Sequence, residues 1–167
     1  METYHITFSC YHKKWLFKSP VLYEAFQDNV NRTIERHSMQ IYAYVLMPNH
    51  VHLVLGINEN ANLRKIIGSI KRTFAFHALK FLKEKHPQLY SSLKYKYGKR
   101  TGYRFWQRGV GRIQMISTDE QLTKTIEYIH NNPSKNGICE LAEDWEWSSY
   151  KFWINNNQNR INLERKI

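Results

Sequence analysis

Ile41-Tyr42-Ala43-Tyr44-Val45-Leu46-Met47-Pro48-Asn49-His50-Val51-His52-Leu53-Val54-Leu55-Gly56-Ile57 decides the fold. Two runs rich in β-branched and aromatic residues, Ile41 to Met47 and Val51 to Ile57, flank Pro48-Asn49, so the stretch reads as a tight antiparallel hairpin. Side chains two apart on a strand project from the same face. His50 and His52 therefore share one face, while Val51, Leu53 and Leu55 share the other. A single strand carries an apolar face for a core and an imidazole face for something else.

Working outward, Tyr4 to Cys10 alternates apolar and polar residues and predicts a half-buried strand. Ser19-Pro20 opens a helix to about His37, with Ser as cap, Pro at the first helical position and Leu22, Phe26, Val30 and Ile34 as the core stripe. From Asn62 a long amphipathic helix runs towards Lys85 on Leu63, Ile66, Ile67, Ile70, Phe74, Ala78 and Phe81, with a strongly basic opposite side. Arg112 to Ile116 is a further strand. Thr118-Asp119-Glu120-Gln121 is a capping box that starts a helix ended by Pro133. Pro87 to Tyr103 and Asn155 to Asn159 read as irregular. The resulting order, β-α-β-β-α-β-α, predicts an α+β chain with a ferredoxin-like split βαβ antiparallel sheet and an extra C-terminal helix. One domain is expected over residues 1–154, followed by a polar C-terminal tail, 155–167.

Composition narrows the function classes. The chain has 167 residues, 42% of them hydrophobic, with a formal net charge of +11. That balance favours a polyanionic partner, nucleic acid first. The cations are spread through folded-looking segments, and Lys71, Arg72, Arg104, Arg108 and Arg112 are the candidates for DNA backbone contact. Two cysteines, Cys10 and Cys139, exclude a disulfide framework and a four-thiolate metal site. The beginning of the chain lacks a secretory h-region and no run approaches the roughly 18 apolar residues of a membrane span, so a soluble cytoplasmic protein is expected. No phosphate-cradling Gly-rich lysine loop occurs, and Gly109-Val110-Gly111 reads as a turn.

Paired imidazoles on a rigid strand suit a divalent first-row cation with open positions, acting on a phosphoryl oxygen. The spacing alone is weak, because eight His in this chain give about 0.4 such pairs by chance. On the capped helix, Tyr128 and Asn132 lie four apart on one face, while Leu122, Ile126 and Ile129 form the buried stripe. A phenol of ordinary pKa, about 10, attacks a phosphodiester only with positive charge nearby, from a cation or from Lys124 one turn earlier. Asn132 supplies a side-chain oxygen as the third ligand if the helix packs across the histidine face of the sheet. His5 and Thr7 border the same open surface; His130 is rotated roughly 200° from Tyr128 and faces away. Phe105-Trp106 is either a stacking pair for bases or core, and Trp145, Trp147, Tyr150 and Trp153 read as packing residues.

Tyr42 to Leu53, with its His-hydrophobic-His core, resembles the HUH motif of the single-tyrosine transposases that mobilise insertion sequences through single-stranded DNA. Phe105-Trp106-Gln107-Arg108, Tyr128-Ile129-His130-Asn131-Asn132-Pro133 and Trp145-Glu146-Trp147-Ser148-Ser149-Tyr150 resemble later blocks of one branch, the REP-associated tyrosine transposases. The resemblance spans about residues 4 to 153. It implies that His50, His52 and Asn132 ligate Mg2+ or Mn2+ and that Tyr128, on the C-terminal helix, is the catalytic nucleophile. It further implies nicking and strand transfer of hairpin-bearing single-stranded DNA through a 5′-phosphotyrosine. Mobile members of that family commonly act as homodimers and domesticated ones alone. Two other classes fit part of the pattern: a non-catalytic nucleic-acid binder on a ferredoxin-like sheet, and a metal-dependent hydrolytic nuclease, which uses water in place of the tyrosine.

Overall fold

The structure, a computed structural model, describes residues 1–166; Ile167 lies outside the described residues. Chain order is β1 (Glu2–Ser9), α1 (Pro20–His37), β2 (Gln40–Met47), β3 (His50–Ile57), α2 (Leu63–Lys85), α3 (Pro87–Ser91), β4 (Lys94–Tyr97), β5 (Arg100–Tyr103), β6 (Arg112–Ile116), α4 (Asp119–His130), α5 (Asn132–Lys135) and α6 (Tyr150–Asn155). The main sheet runs β2-β3-β1-β6, and every neighbouring pair is antiparallel. This is the ferredoxin-like split βαβ order expected from the sequence.

Alternation along β3 divides the interior. Val51, Leu53, Leu55 and Ile57 join Ile6 and Phe8 of β1 beneath α1 and α2, where Phe26, Ile70 and Phe74 are fully buried. Val54 faces the opposite side and packs with Tyr42, Val45 and Met47 against Leu122, Ile126 and Ile129 of α4. Both stripes were legible as helical periodicity. A bulge between Ile41 and Ala43 turns Tyr42 to the α4 side. Its phenol lies over Gly56, where a Cβ would collide with the ring.

Local signals set the helix starts. The Ser19 hydroxyl accepts from the Val21 amide and Asn62 from the Lys65 amide. Thr118 caps α4 through the Gln121 amide at 3.2 Å, but the Gln121 side chain reaches back to the amide of Ser117 in place of Thr118. The expected continuous helix to Pro133 is divided: Asn131, at φ −81° and ψ −3°, ends α4 and precedes the short α5.

Of the two stretches read as irregular, 156–159 has no regular structure, whereas the other is organised. Pro87 to Tyr103 contains α3 and the β4–β5 hairpin, a separate two-stranded sheet. Its signal is short, four residues per strand, and its alternating Lys and Tyr bury little, so the hydrophobic pattern is faint. Beyond α6 the polar segment folds back onto the body. Ile161 is buried, Leu163 bridges Ile41, and Arg160 forms ion pairs with Asp28 and Glu24. Among the described residues no helix is long and apolar enough to cross a membrane.

Candidate active site

The imidazoles of β3 emerge at the end of the sheet next to the Pro48-Asn49 turn. Register places Thr7 of β1 opposite His52 and Ser9 opposite His50. Asn49 Oδ1 lies 2.6 Å from His50 Nδ1, and since an amide oxygen only accepts, that nitrogen donates. On His52, Nδ1 faces Thr7 Oγ1 at 2.9 Å and His5 Nε2 at 3.0 Å. The outward nitrogens, His50 Nε2 and His52 Nε2, converge to 3.1 Å.

That separation permits a test of metal fit. Imidazole nitrogens bind a first-row cation at about 2.1 Å, so two ligands at right angles stand about 3.0 Å apart. Both rings have their other nitrogen engaged, the arrangement that orients histidine ligands. Burial disfavours the charged form of each ring: His50 is shifted down by desolvation, partly offset by a hydrogen bond with Asn132, and His52 is pushed down to about 3 by desolvation and by His50 and His5. Neutral imidazoles are the ligating form. Asn132 is buried beside His50 and presents a side-chain oxygen that also accepts from Asn136 at 3.1 Å. Among the described residues no three His, Cys, Asp or Glu side chains gather as a metal cluster. The donor set is two imidazoles and one neutral amide. Such a set fits a divalent cation that keeps several positions open to water or phosphate, and imidazole makes Mn2+ at least as well suited as Mg2+.

Tyr128 lies on the solvent side of α4, with Ile126 and Ile129 in the core. It is 49% exposed, and its ring is 5.9 Å from His52 and 6.3 Å from His5, edge-on to both. The phenol therefore borders the imidazole cluster while remaining open to substrate. A cavity of about 550 Å3 joins them, lined by His5, Thr7, His52, Tyr128, Arg108 and Arg112 among others. Its floor depends on Gly111, at φ +95°, where a Cβ would strike the backbone of Thr7 and Phe8. The Gly109-Val110-Gly111 turn thus builds a cavity wall.

The structure brings together Tyr128, His50, His52 and Asn132, although Asn132 stands on α5, past the break at Asn131. Of the five cations expected at DNA, Arg108 and Arg112 are exposed at this cavity, and Arg72 and Arg104 line a second depression that Arg108 shares. Arg104 stacks over Tyr95 at 4.1 Å. Lys71 is held differently from these four arginines. It lines both depressions yet is only 8% exposed, and its ammonium donates to the carbonyls of Gln107 and Gly109, holding the Gly turn. Desolvation pushes its pKa down to about 8. The helical stripe could not reveal this, because the loop that meets Lys71 lies some 36 residues away in sequence.

Lys124, considered as a charge source for Tyr128, pairs with Glu120 at 2.6 Å. The cation over the Tyr128 ring is Lys135, 5.8 Å from its centre, which the sequence reading missed because the chain turns between α4 and α5. His5 was read as a border residue and in fact touches His52; the signal available was period two on β1 combined with the β3-β1 adjacency of the predicted sheet. His130 faces away as expected, buried against Ser149 at 2.7 Å. Phe105 and Trp106 are core, and Trp145 and Trp153 donate to carbonyls of β2.

Comparison with known proteins places these features in a lineage. Residues 2–132 match the family model described as "Transposase IS200 like". A protein of Haemophilus influenzae described as a REP-associated tyrosine transposase is 27% identical over 126 residues, covering 75% of this chain and 66% of that relative, a little under two thirds of its length. Among solved structures, a REP-associated tyrosine transposase bound to a REP hairpin superposes with a TM-score of 0.71 at 16% identity, over 99% of this chain and 87% of that one. A transposase structure from Deinococcus radiodurans R1 gives 0.50 at 19% identity, over 78% and 91%. Both structural likenesses concern the fold.

Proposed function

The chain belongs to the IS200-like transposase family, and from that membership we propose that it nicks and rejoins single-stranded DNA beside hairpins, using Tyr128 as nucleophile and a divalent cation, Mg2+ or Mn2+, held by His50, His52 and Asn132. The observation that carries the reading is the convergence of two outward imidazole nitrogens, 3.1 Å apart, beside an exposed tyrosine at a cavity lined by arginines.

Attack of Tyr128 Oη on phosphorus forms the Oη–P bond as the P–O3′ bond breaks. The phenol loses its proton, the departing oxygen gains one, and the products are a 5′-phosphotyrosine and a free 3′-hydroxyl. One ester replaces another, so the hydroxyl of the same or another strand reverses the step without ATP. When bound, the cation supplies Lewis-acid polarisation of the phosphate. Thr7 and His5 fix the ring of His52, and Asn49 fixes that of His50, so the donors stay aimed without reorganisation. Arg108 and Arg112 hold the strand's phosphates at the cavity, and Lys135 brings positive charge to the phenol ring.

The test is incubation of the protein and Tyr128→Phe with end-labelled, hairpin-bearing single-stranded DNA and Mn2+ or Mg2+, followed by denaturing electrophoresis. A metal-dependent adduct on the 5′ phosphate that disappears in Tyr128→Phe is the expected result. Cleavage without adduct that survives the substitution replaces the reading with a hydrolytic nuclease. Binding without cleavage replaces it with a nucleic-acid binder.

A further inference from the structure

We infer that the β4–β5 hairpin is an arm that grips the duplex stem of the DNA hairpin while the histidine-tyrosine cavity takes the adjoining single strand. The inference rests on the single-strand DNA reading above and adds a separate surface to it.

The arm is a charged ribbon with a fixed base. From Lys85 to Thr118 the sequence contains no Asp or Glu. Lys94, Lys96, Lys99 and Arg100 are all exposed, and none takes part in the ion pairs found among the described residues. Its base is held by buried Leu93, whose carbonyl accepts from the Arg104 amide at 3.2 Å, and by Tyr90 of α3, stacked on Tyr103 at 4.0 Å. Tyr95 lies flat across Gly102, too close for any Cβ there, and Arg104 covers its ring. The tip is a two-residue turn, Gly98-Lys99, with Gly98 at φ +57°. The tip carries cations and Tyr97, 69% exposed, and no apolar cluster that would demand burial within the protein.

Cross-strand partners point to the same side of a ribbon. Lys94 and Lys96, opposite Tyr103 and Thr101, occupy one face; Arg100, opposite Tyr97, occupies the other. Cations on both faces of a thin ribbon match a groove walled by two phosphate backbones better than one strand lying on one face. A two-stranded ribbon fits the major groove, about 12 Å wide. Continuity with the cavity comes through arginine. Arg108 lines both the histidine-tyrosine cavity and the second depression, whose other walls include Arg72, Tyr103 and Arg104 at the base of the arm. A strand leaving the cavity past Arg108 reaches the arm along a cationic path.

The experiment compares two oligonucleotides: a hairpin of about ten base pairs, one helical turn, with a single-stranded tail, and the tail alone. Wild type and a variant with Lys94→Gln, Lys96→Gln, Lys99→Gln and Arg100→Gln are titrated over a range of salt concentrations. The variant is expected to bind the stemmed DNA at least tenfold more weakly near physiological salt, with the slope of log affinity against log salt reduced by about 2 to 4. Binding of the tail alone changes less than twofold, which also reports an intact fold. Lys99→Gln with Arg100→Gln, confined to the tip, produces about half the slope change. Equal weakening on both DNAs, or on neither, overturns the arm assignment and leaves the active-site reading standing. Failure of wild type to bind either DNA overturns both.

Discussion

The two faces of β3 are built from the same eight residues and are governed by different physics. On one, Val51, Leu53 and Leu55 are sealed under two helices, with Leu53 only 1% exposed. On the other, His50 and His52 stand with polar partners, His52 at the wall of an open cavity, and α4 with Trp145 and Trp153 covers the remainder. The first face holds the sheet together, and the second uses the rigidity so obtained to aim two nitrogens at one point. Substitutions on the two faces should therefore separate stability from chemistry.

The largest expected effect lies on the open face. Tyr128→Phe abolishes the covalent adduct, a loss of at least roughly 1000-fold, while an exposed position of this kind leaves stability within about 0.5 kcal/mol; adduct yield and urea titration check the two halves. Next, His50→Ala or His52→Ala lowers metal-stimulated nicking by about 100-fold and weakens Mn2+ affinity, measured by calorimetry. Retention of full Mn2+ affinity by both variants would break the assignment of that face. Leu53→Ala, on the sealed face, is expected to cost about 4 kcal/mol in urea unfolding while sparing adduct yield per folded molecule.

Acid sharpens the contrast further. Desolvation pushes the folded-state pKa of buried His130 down from 6.5 to about 4. Between those values the unfolded chain binds the proton that the fold excludes, so stability is complete above pH 6.5 and falls as pH drops towards 4. The loss from His130 is on the order of 3 kcal/mol. His5, lowered to about 4 by desolvation and by Arg112, adds in the same direction. A melting temperature lower at pH 4.5 than at pH 7 checks it. The smallest effect concerns the helix that carries Tyr128: Thr118→Ala removes its cap and costs about 1 kcal/mol of stability, with nicking by the folded fraction retained.

What could be read from the sequence followed from periodicity. Period two placed His50 and His52 together, a helical stripe placed Ile126 and Ile129 inward and Tyr128 outward, and the order of elements implied the sheet. What escaped depends on contacts between distant segments. Lys71 looked like one more cation on a basic helix until the 107–109 loop covered it. Lys135 came beside Tyr128 only because Asn131 ends α4. The β4–β5 hairpin lacks an apolar face, so its strands left hardly any signal in a pattern built on burial.

The chain from Trp145 onward, whose Trp145 and Trp153 bond to β2 carbonyls, has another consequence for β2. The outward amides of Tyr44 and Leu46 bond to the Ser149 hydroxyl and the Trp147 carbonyl, and the carbonyls of Ile41, Tyr42, Tyr44 and Leu46 accept from Glu164, Trp153, Ser149 and Trp145. An unpaired strand edge is a template for another molecule's strand. Here the chain occupies its own template, so neither aggregation nor a dimer built by joining sheets proceeds through β2. β6, at the other end of the sheet, has no strand paired beyond it among the described residues.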